Sequence, residues 1–233
     1  MTTSKLLLLA ASCGLRQVLC STTENADVPS RFFDAAADLL LGASCPGCDS
    51  PGWSLCSECL RTLRSVEAIP PQQLPVSVVA VAPYRPLLAR VIPRFKDEGA
   101  WQLSRPLGAL LADLVIELDP PADARLVPIP SRPRAVRARG FDHVAALCQV
   151  VSRRTGLPCW TGLRRRDIGV DQEGLGRVGR AQNLTGTMFA KGCSSPVLLV
   201  DDVVTSGATL SEACRTLSTA RVEVINALVL AVA

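Results

Sequence analysis

The sequence predicts an α/β protein: a parallel sheet with flanking helices, preceded by a small four-cysteine segment. Three observations carry this. From about residue 76 to the end, apolar runs of strand length alternate with stretches of helical spacing. One run, Val197-Leu198-Leu199-Val200, meets two carboxylates, Asp201 and Asp202, and then a short polar loop before the next helical stretch. Upstream, Cys45, Cys48, Cys56 and Cys59 form two Cys-x-x-Cys pairs only seven residues apart.

The elements follow in order. Arg31 to Leu41 has amphipathic helical spacing, and the cysteine pairs cover 45–59. Residues 60–75, rich in Pro and Gln, read as a linker. Val76 to Ala82 is an apolar strand, and Tyr84 to Phe95 has helical spacing that Pro93 is expected to interrupt. Gln102 to Leu118 is a helix, Leu126 to Pro130 a short strand ending in a Pro-bounded loop, and Phe141 to Thr155 a helix. Arg164 to Asn183 is polar and Gly-rich, as loops are. Strands are expected at Leu184 to Ala190, Val197 to Val200 and Val222 to Val232, with a helix over Gly207 to Thr219. The expected organisation is a disordered or over-extended N-terminus over 1–29, a helix and four-cysteine segment over 30–63, and an α/β domain over 76–233.

A chain of 233 residues is long enough to bury a full core. Its formal charge of +4 is unevenly spread. Residues 125–180 hold twelve Arg and no Lys against four acidic residues, a net +8, whereas the rest carries −4. Guanidinium groups suit phosphate through bidentate hydrogen bonds, so a diphosphate and a nucleic-acid backbone are both candidate partners; a solvated surface is the plain alternative, above all for Arg153 and Arg154. No segment approaches the length of a membrane span. Leu9 to Cys13 resembles a lipoprotein cleavage box, but the apolar run before it is short for a signal peptide. A cytoplasmic protein with a folded chain starting near Ser30 is expected.

The four clustered cysteines match a tetrahedral zinc site, with Pro46-Gly47 favouring the tight turn that presents the first two thiolates. Two disulfides or a redox pair are the alternatives on spacing alone. Cys148, Cys159, Cys193 and Cys214 lie in apolar surroundings and read as buried small residues.

The loop from Thr205 to Thr209 places backbone N–H groups and hydroxyls at a helix N-terminus, which suits an anion. The adjacent Asp201 and Asp202 suit vicinal hydroxyls. Phosphate beside a diol describes a ribose 5-phosphate; a polar N-cap on an ordinary strand–turn–helix is the bland alternative. The single histidine, His143, reads as a helix-surface residue rather than a general base, and Lys96 either reaches the site or caps the helix before it.

The run Val197 to Thr209 resembles the phosphoribosyl-diphosphate (PRPP) motif of type I phosphoribosyltransferases. Three further segments extend the likeness: Lys96-x-x-Gly99; Val127-Pro128-Ile129-Pro130-Ser131-Arg132 with Arg134, Arg137, Arg139, Gly140 and Phe141; and Gln172-x-Gly174-Leu175-x-Arg177-x-x-Arg180-x-x-Asn183. Together with the cysteine pairs, they make residues 31–233 resemble the ComF family of competence-associated, phosphoribosyltransferase-like proteins.

The resemblance implies a type I phosphoribosyltransferase-like domain that binds PRPP with magnesium, as a pentosyl glycosyltransferase or as a binding protein. It also implies structural zinc, and a role in DNA uptake with single-stranded DNA and the uptake machinery as partners. Asp201 and Asp202 would hold the ribose hydroxyls; Thr205, Ser206, Gly207, Ala208 and Thr209 the 5-phosphate; Ser131 and Arg132 the pyrophosphate side. Arg177 and Arg180 would lie in a loop that closes over the ligand; the alternative is that Arg180 and Asn183 pin that loop to the sheet. The sequence departs from the family's pattern at Gly140-Phe141-Asp142-His143, where Gly-Phe-Asn-Gln is usual, and at Ile168 to Asp171, where a Thr-Pro-Pro type is usual. Few aromatic residues are available for base stacking, at 4% of the chain. No base-binding signature identifies an acceptor.

Overall fold

A computed structural model describes residues 43–66, 74–166 and 186–233. The helix expected over 31–41, the N-terminal extension, and the segment carrying Arg177 and Arg180 lie outside the described residues. In chain order the elements are α1 (Ser57–Arg64), β1 (Val78–Pro83), α2 (Pro86–Lys96), a 3₁₀ turn (Trp101–Leu103), α3 (Ser104–Leu118), β2 (Arg125–Pro128), α4 (Pro133–Arg139), α5 (His143–Thr155), β3 (Leu163–Arg165), β4 (Met188–Ala190), β5 (Val197–Val204), α6 (Ala208–Thr219) and β6 (Val224–Val232).

The main sheet runs β1-β6-β5-β2, with every neighbouring pair parallel. Its strands are apolar runs because both faces are covered. On one face Leu198 and Val200 pack with Leu88, Val91, Ile92 and Phe95 of α2, Leu107 and Leu111 of α3, and Val144, Leu147 and Val151 of α5. On the other, Val197 and Leu199 pack with Leu210, Ala213 and Leu217 of α6 and with Leu163 and Met188. The alternation along β5 is the period-two geometry of a strand. The cysteine segment joins the first of these cores, since Cys45, Leu55, Cys59 and Leu63 are buried within it.

Several elements differ from the sequence expectation. Pro93 does not interrupt α2: the helix runs through it to Lys96. Proline removes one backbone donor at that position, and the buried face of Leu88, Val91, Ile92 and Phe95 outweighs the loss. The loop after Ile129 contains a short helix, α4, which buries no side chain and therefore left no apolar period to read. Arg164 is not in a loop but in β3, which pairs antiparallel with β4 as a separate two-stranded ribbon, so Met188–Ala190 is not part of the parallel sheet. Arg166 stacks over the Phe189 ring on that ribbon, 5.7 Å from its centroid. Of the four scattered cysteines only Cys148 is fully buried; Cys159, Cys193 and Cys214 are half-buried.

The most consequential difference is the length of β5. The sequence ends this strand at Val200, but pairing with β6 continues through Asp201, Val203 and Val204. On the other edge β2 stops with Pro128 opposite Val200. The two carboxylates thus lie in strand backbone beyond the end of one neighbour. This is the carboxyl end of a parallel sheet, where such folds form crevices.

Candidate functional site

A cavity of about 350 Å³ opens at this end of the sheet. Of the residues singled out from the sequence, Ser131, Arg132, Asp201, Asp202, Thr205 and Thr209 line it. Ser206, Gly207 and Ala208 complete the turn between the two threonines. Gly207 is the N-cap of α6 with φ +70°, a left-handed conformation that glycine adopts without strain. A Cβ there would also meet the Leu74 side chain. The Ala208 N–H lies 3.4 Å from Ser206 Oγ, so a hydroxyl already sits at the helix start.

Asp202 is 3% exposed and fully engaged. Its Oδ1 accepts from Val203 N–H at 2.8 Å. Its Oδ2 lies 2.7 Å from Lys96 Nζ and 3.0 Å from His143 Nε2. Burial works to raise this carboxyl, but the His143 hydrogen bond and the Lys96 charge outweigh it and hold Asp202 well below the usual carboxylate range. Burial likewise works against the Lys96 ammonium, and the Asp202 charge overcomes it and lifts Lys96 above its ordinary value. Asp201, half-buried on the cavity, is pushed up by desolvation and by the neighbouring Asp202 charge. The Asp202 N–H donates to Asp201 Oδ1 at 2.9 Å. The two acids therefore differ: Asp202 belongs to the framework, whereas Asp201 keeps acceptor capacity toward the cavity.

Three cavity residues were not resolved by sequence reasoning. His143 is a correction: it is 2% exposed, not a surface residue. It is the first residue of α5, whose N-cap is Asp142, accepting from Val144 and Ala145 N–H at 3.1 and 3.2 Å. Asp142 thus serves as the cap of α5. Lys96, left open between two roles, reaches the site. Arg165, at the end of β3, lines the cavity together with Arg132. Burial and the Arg132 charge both lower Arg165. Two guanidiniums brought to one crevice favour a multiply charged anion. No local pattern announces Arg165, since it enters through a tertiary ribbon.

The cysteine cluster is a separate site. The four sulfur atoms lie within 4.8 Å of one another. Cys45 and Cys59 Sγ are 3.8 Å apart, and Cys48 and Cys56 Sγ 3.6 Å. A tetrahedron with metal–sulfur bonds of ~2.3 Å has edges of ~3.8 Å. Backbone N–H groups of Cys56 and Cys59 donate to Cys45 and Cys56 Sγ, both at 3.4 Å, which stabilises thiolate charge. Hydrogen bonds from Ser50 bring the Cys48 thiol down to about 6, whereas burial pushes Cys59 up. The donor set fits zinc. The turn packs onto α2 through Arg90, which donates to Gly47 C=O at 3.0 Å and pairs with Asp49. Gly47 permits this approach: a Cβ would press on the Leu87 and Cys59 side chains.

No helix among the described residues is long and apolar enough to cross a membrane. No protein-family model and no curated protein sequence matches the chain. Among solved structures it is similar to adenine phosphoribosyltransferase from Saccharomyces cerevisiae, at 12% identity and a TM-score of 0.38, over 75% of this chain and 90% of that one. That protein was solved with an imino-altritol bisphosphate and adenine. A second adenine phosphoribosyltransferase gives 13% identity and a TM-score of 0.37, over 74% of this chain and 89% of that one. The Rhodothermus marinus adenine phosphoribosyltransferase gives 16% and 0.34, over 75% and 86%.

Proposed function

We propose that this protein binds PRPP with magnesium at the carboxyl end of its sheet and acts there as a phosphoribosyltransferase. The observation that carries the reading is one cavity lined by Asp201, by Thr205 and Thr209 at the start of α6, and by Arg132 and Arg165. These are a diol acceptor, a phosphate seat and a diphosphate clamp in a single crevice. Asp201 would take the ribose hydroxyls, the Thr205–Thr209 turn the 5-phosphate, and Ser131, Arg132 and Arg165 the diphosphate.

In the reaction, the bond from the anomeric carbon to diphosphate breaks and its electron pair leaves with the diphosphate. An acceptor then forms the new bond at that carbon. The Asp201 and Asp202 carboxylates favour the positive charge that builds on the ribose, and Arg132 and Arg165 the negative charge on the leaving group. Magnesium, a hard cation suited to Asp201 and ribose oxygens, would offset diphosphate charge when bound. Zinc on Cys45, Cys48, Cys56 and Cys59 is structural, as four thiolates leave no open position.

Calorimetric titration with PRPP and magnesium tests this, using wild type, Asp201→Ala and the Asp201→Ala/Asp202→Ala double variant, each checked for folding. Binding by wild type and its loss in both variants is expected. Absence of binding by folded wild type would overturn the reading.

The ComF resemblance extends the proposal to a cytoplasmic role in DNA uptake, with single-stranded DNA as a further partner. Arg134 and Arg137, exposed on α4 beside the cavity, favour a phosphate-backbone contact. Such binding falls steeply with salt. Salt-insensitive DNA binding, or none at low salt, would remove this extension while leaving the PRPP reading intact.

A further inference from the structure

We infer that His143 is a positioning residue that fixes Asp202 through one defined tautomer, in a relay running from Arg139 through His143 to Asp202. The relay's role in ligand binding rests on the PRPP reading; its protonation pattern does not.

A guanidinium donates hydrogen bonds and accepts none. Arg139 Nε donates to Ala135 C=O at 3.0 Å, and its Nη1 lies 3.2 Å from Lys96 C=O and 2.9 Å from His143 Nδ1. The two Nη1 hydrogens are thereby assigned, and Nδ1 has to present its lone pair. The imidazole then carries its proton on Nε2, which lies 3.0 Å from Asp202 Oδ2 and donates to it. At 2% exposure the ring is shielded from bulk solvent. Phe95 meets the ring edge-on, with centroids 5.9 Å apart and planes at 73°, which leaves the ring little freedom to flip.

The relay accounts for the different fates of the two acids. Asp202 Oδ2 receives one charged donor, Lys96, and one neutral donor, His143, while Oδ1 receives Val203 N–H. Asp202 is held ionised and immobile. Asp201, which accepts from the Asp202 N–H, lines the cavity. His143 is spent at both nitrogens and has no lone pair to offer as a general base. Glutamine can copy its polarity, with the amide oxygen accepting from Arg139 and the amide nitrogen donating to Asp202. Leucine fills similar space and can do neither.

Two measurements test the inference. The chain has a single histidine, so long-range ¹H–¹⁵N correlation of the tag-free protein reads His143 directly. A protonated Nε2 and bare Nδ1 are expected at pH 7.5; the opposite tautomer or an imidazolium would overturn the relay. PRPP titration of His143→Leu and His143→Gln, both confirmed folded, reads the role. The leucine variant should lose about tenfold or more in affinity, and glutamine should restore it to within about threefold of wild type. Wild-type affinity in the leucine variant, or equal loss in both, would overturn the positioning role. If folded wild type binds no PRPP, the functional reading fails on its own, and the tautomer alone decides whether the relay stands.

Discussion

The Lys96 ammonium lies 2.7 Å from Asp202 Oδ2, joining the last residue of α2 to the extended half of β5. Lysine is 39% exposed at its side chain and the aspartate 5%, so the pair straddles the boundary between cavity and core. It gives Asp202 its counter-charge without sealing the crevice.

The neighbouring acids are expected to respond oppositely to neutralisation. Asp201→Asn should raise the melting temperature at pH 7, because its carboxylate is disfavoured by burial and by Asp202. Asp202→Ala strands Lys96 and His143 and should cost ~1–3 kcal/mol, a fall of several degrees for a chain of this size. Thermal melts of the two variants check both signs. Equal destabilisation would contradict the division of roles.

Acid should unfold the protein through Asp202 and Glu212. Burial opposes ionisation of Asp202, but His143 and Lys96 lower it; the Arg215 hydrogen bonds lower Glu212. A group whose folded value is depressed contributes stability above its unfolded value and loses it as pH falls through the folded one. Stability should therefore decline below about pH 4, and Glu212→Gln should flatten that decline in denaturant titrations at stepped pH. Glu212 also accepts from Gly186 N–H at 2.7 Å, a contact that the glutamine amide oxygen can keep, so this substitution reads the charge.

Zinc removal should weaken the whole protein rather than a detachable finger, since Cys45 and Cys59 share a core with α2 and α3. Elemental analysis should give one zinc per chain. Strong chelation or Cys45→Ser should lower the single melting transition; a second, unchanged transition would show an independent unit instead.

Gly207→Val should strain a backbone at φ +70° and press on Leu74. A cost of ~1–3 kcal/mol is expected, along with loss of PRPP binding in the titration above. Normal affinity would mean that the turn does not seat the phosphate.

Arg132→Ala and Arg165→Ala should each weaken PRPP binding by about tenfold, the scale of a charge-assisted hydrogen bond. Inorganic pyrophosphate used as a competitor should be weakened alike, while ribose 5-phosphate should be affected less. An equal effect on both probes would place the guanidiniums elsewhere on the ligand.

The sequence by itself determined what depends on local order along the chain. Apolar runs and helical periods establish the α/β class, because burial on two sheet faces imposes them. The spacing of Cys45, Cys48, Cys56 and Cys59 announces a metal turn, because its ligands are neighbours in sequence. Asp201 through Thr209 reads as an acid pair beside an anion seat, because one strand and one turn carry it all. Tertiary structure decided the rest. The division between Asp201 and Asp202 rests on Lys96, Arg139 and His143, which arrive from α2, α4 and α5. Arg165 reaches the cavity on a ribbon outside the main sheet. The continuation of β5 past Val200 depends on β6 extending where β2 stops. A carboxylate's partners, burial and charge are set by what packs against it from distant parts of the chain, and none of those distances is written in the local pattern.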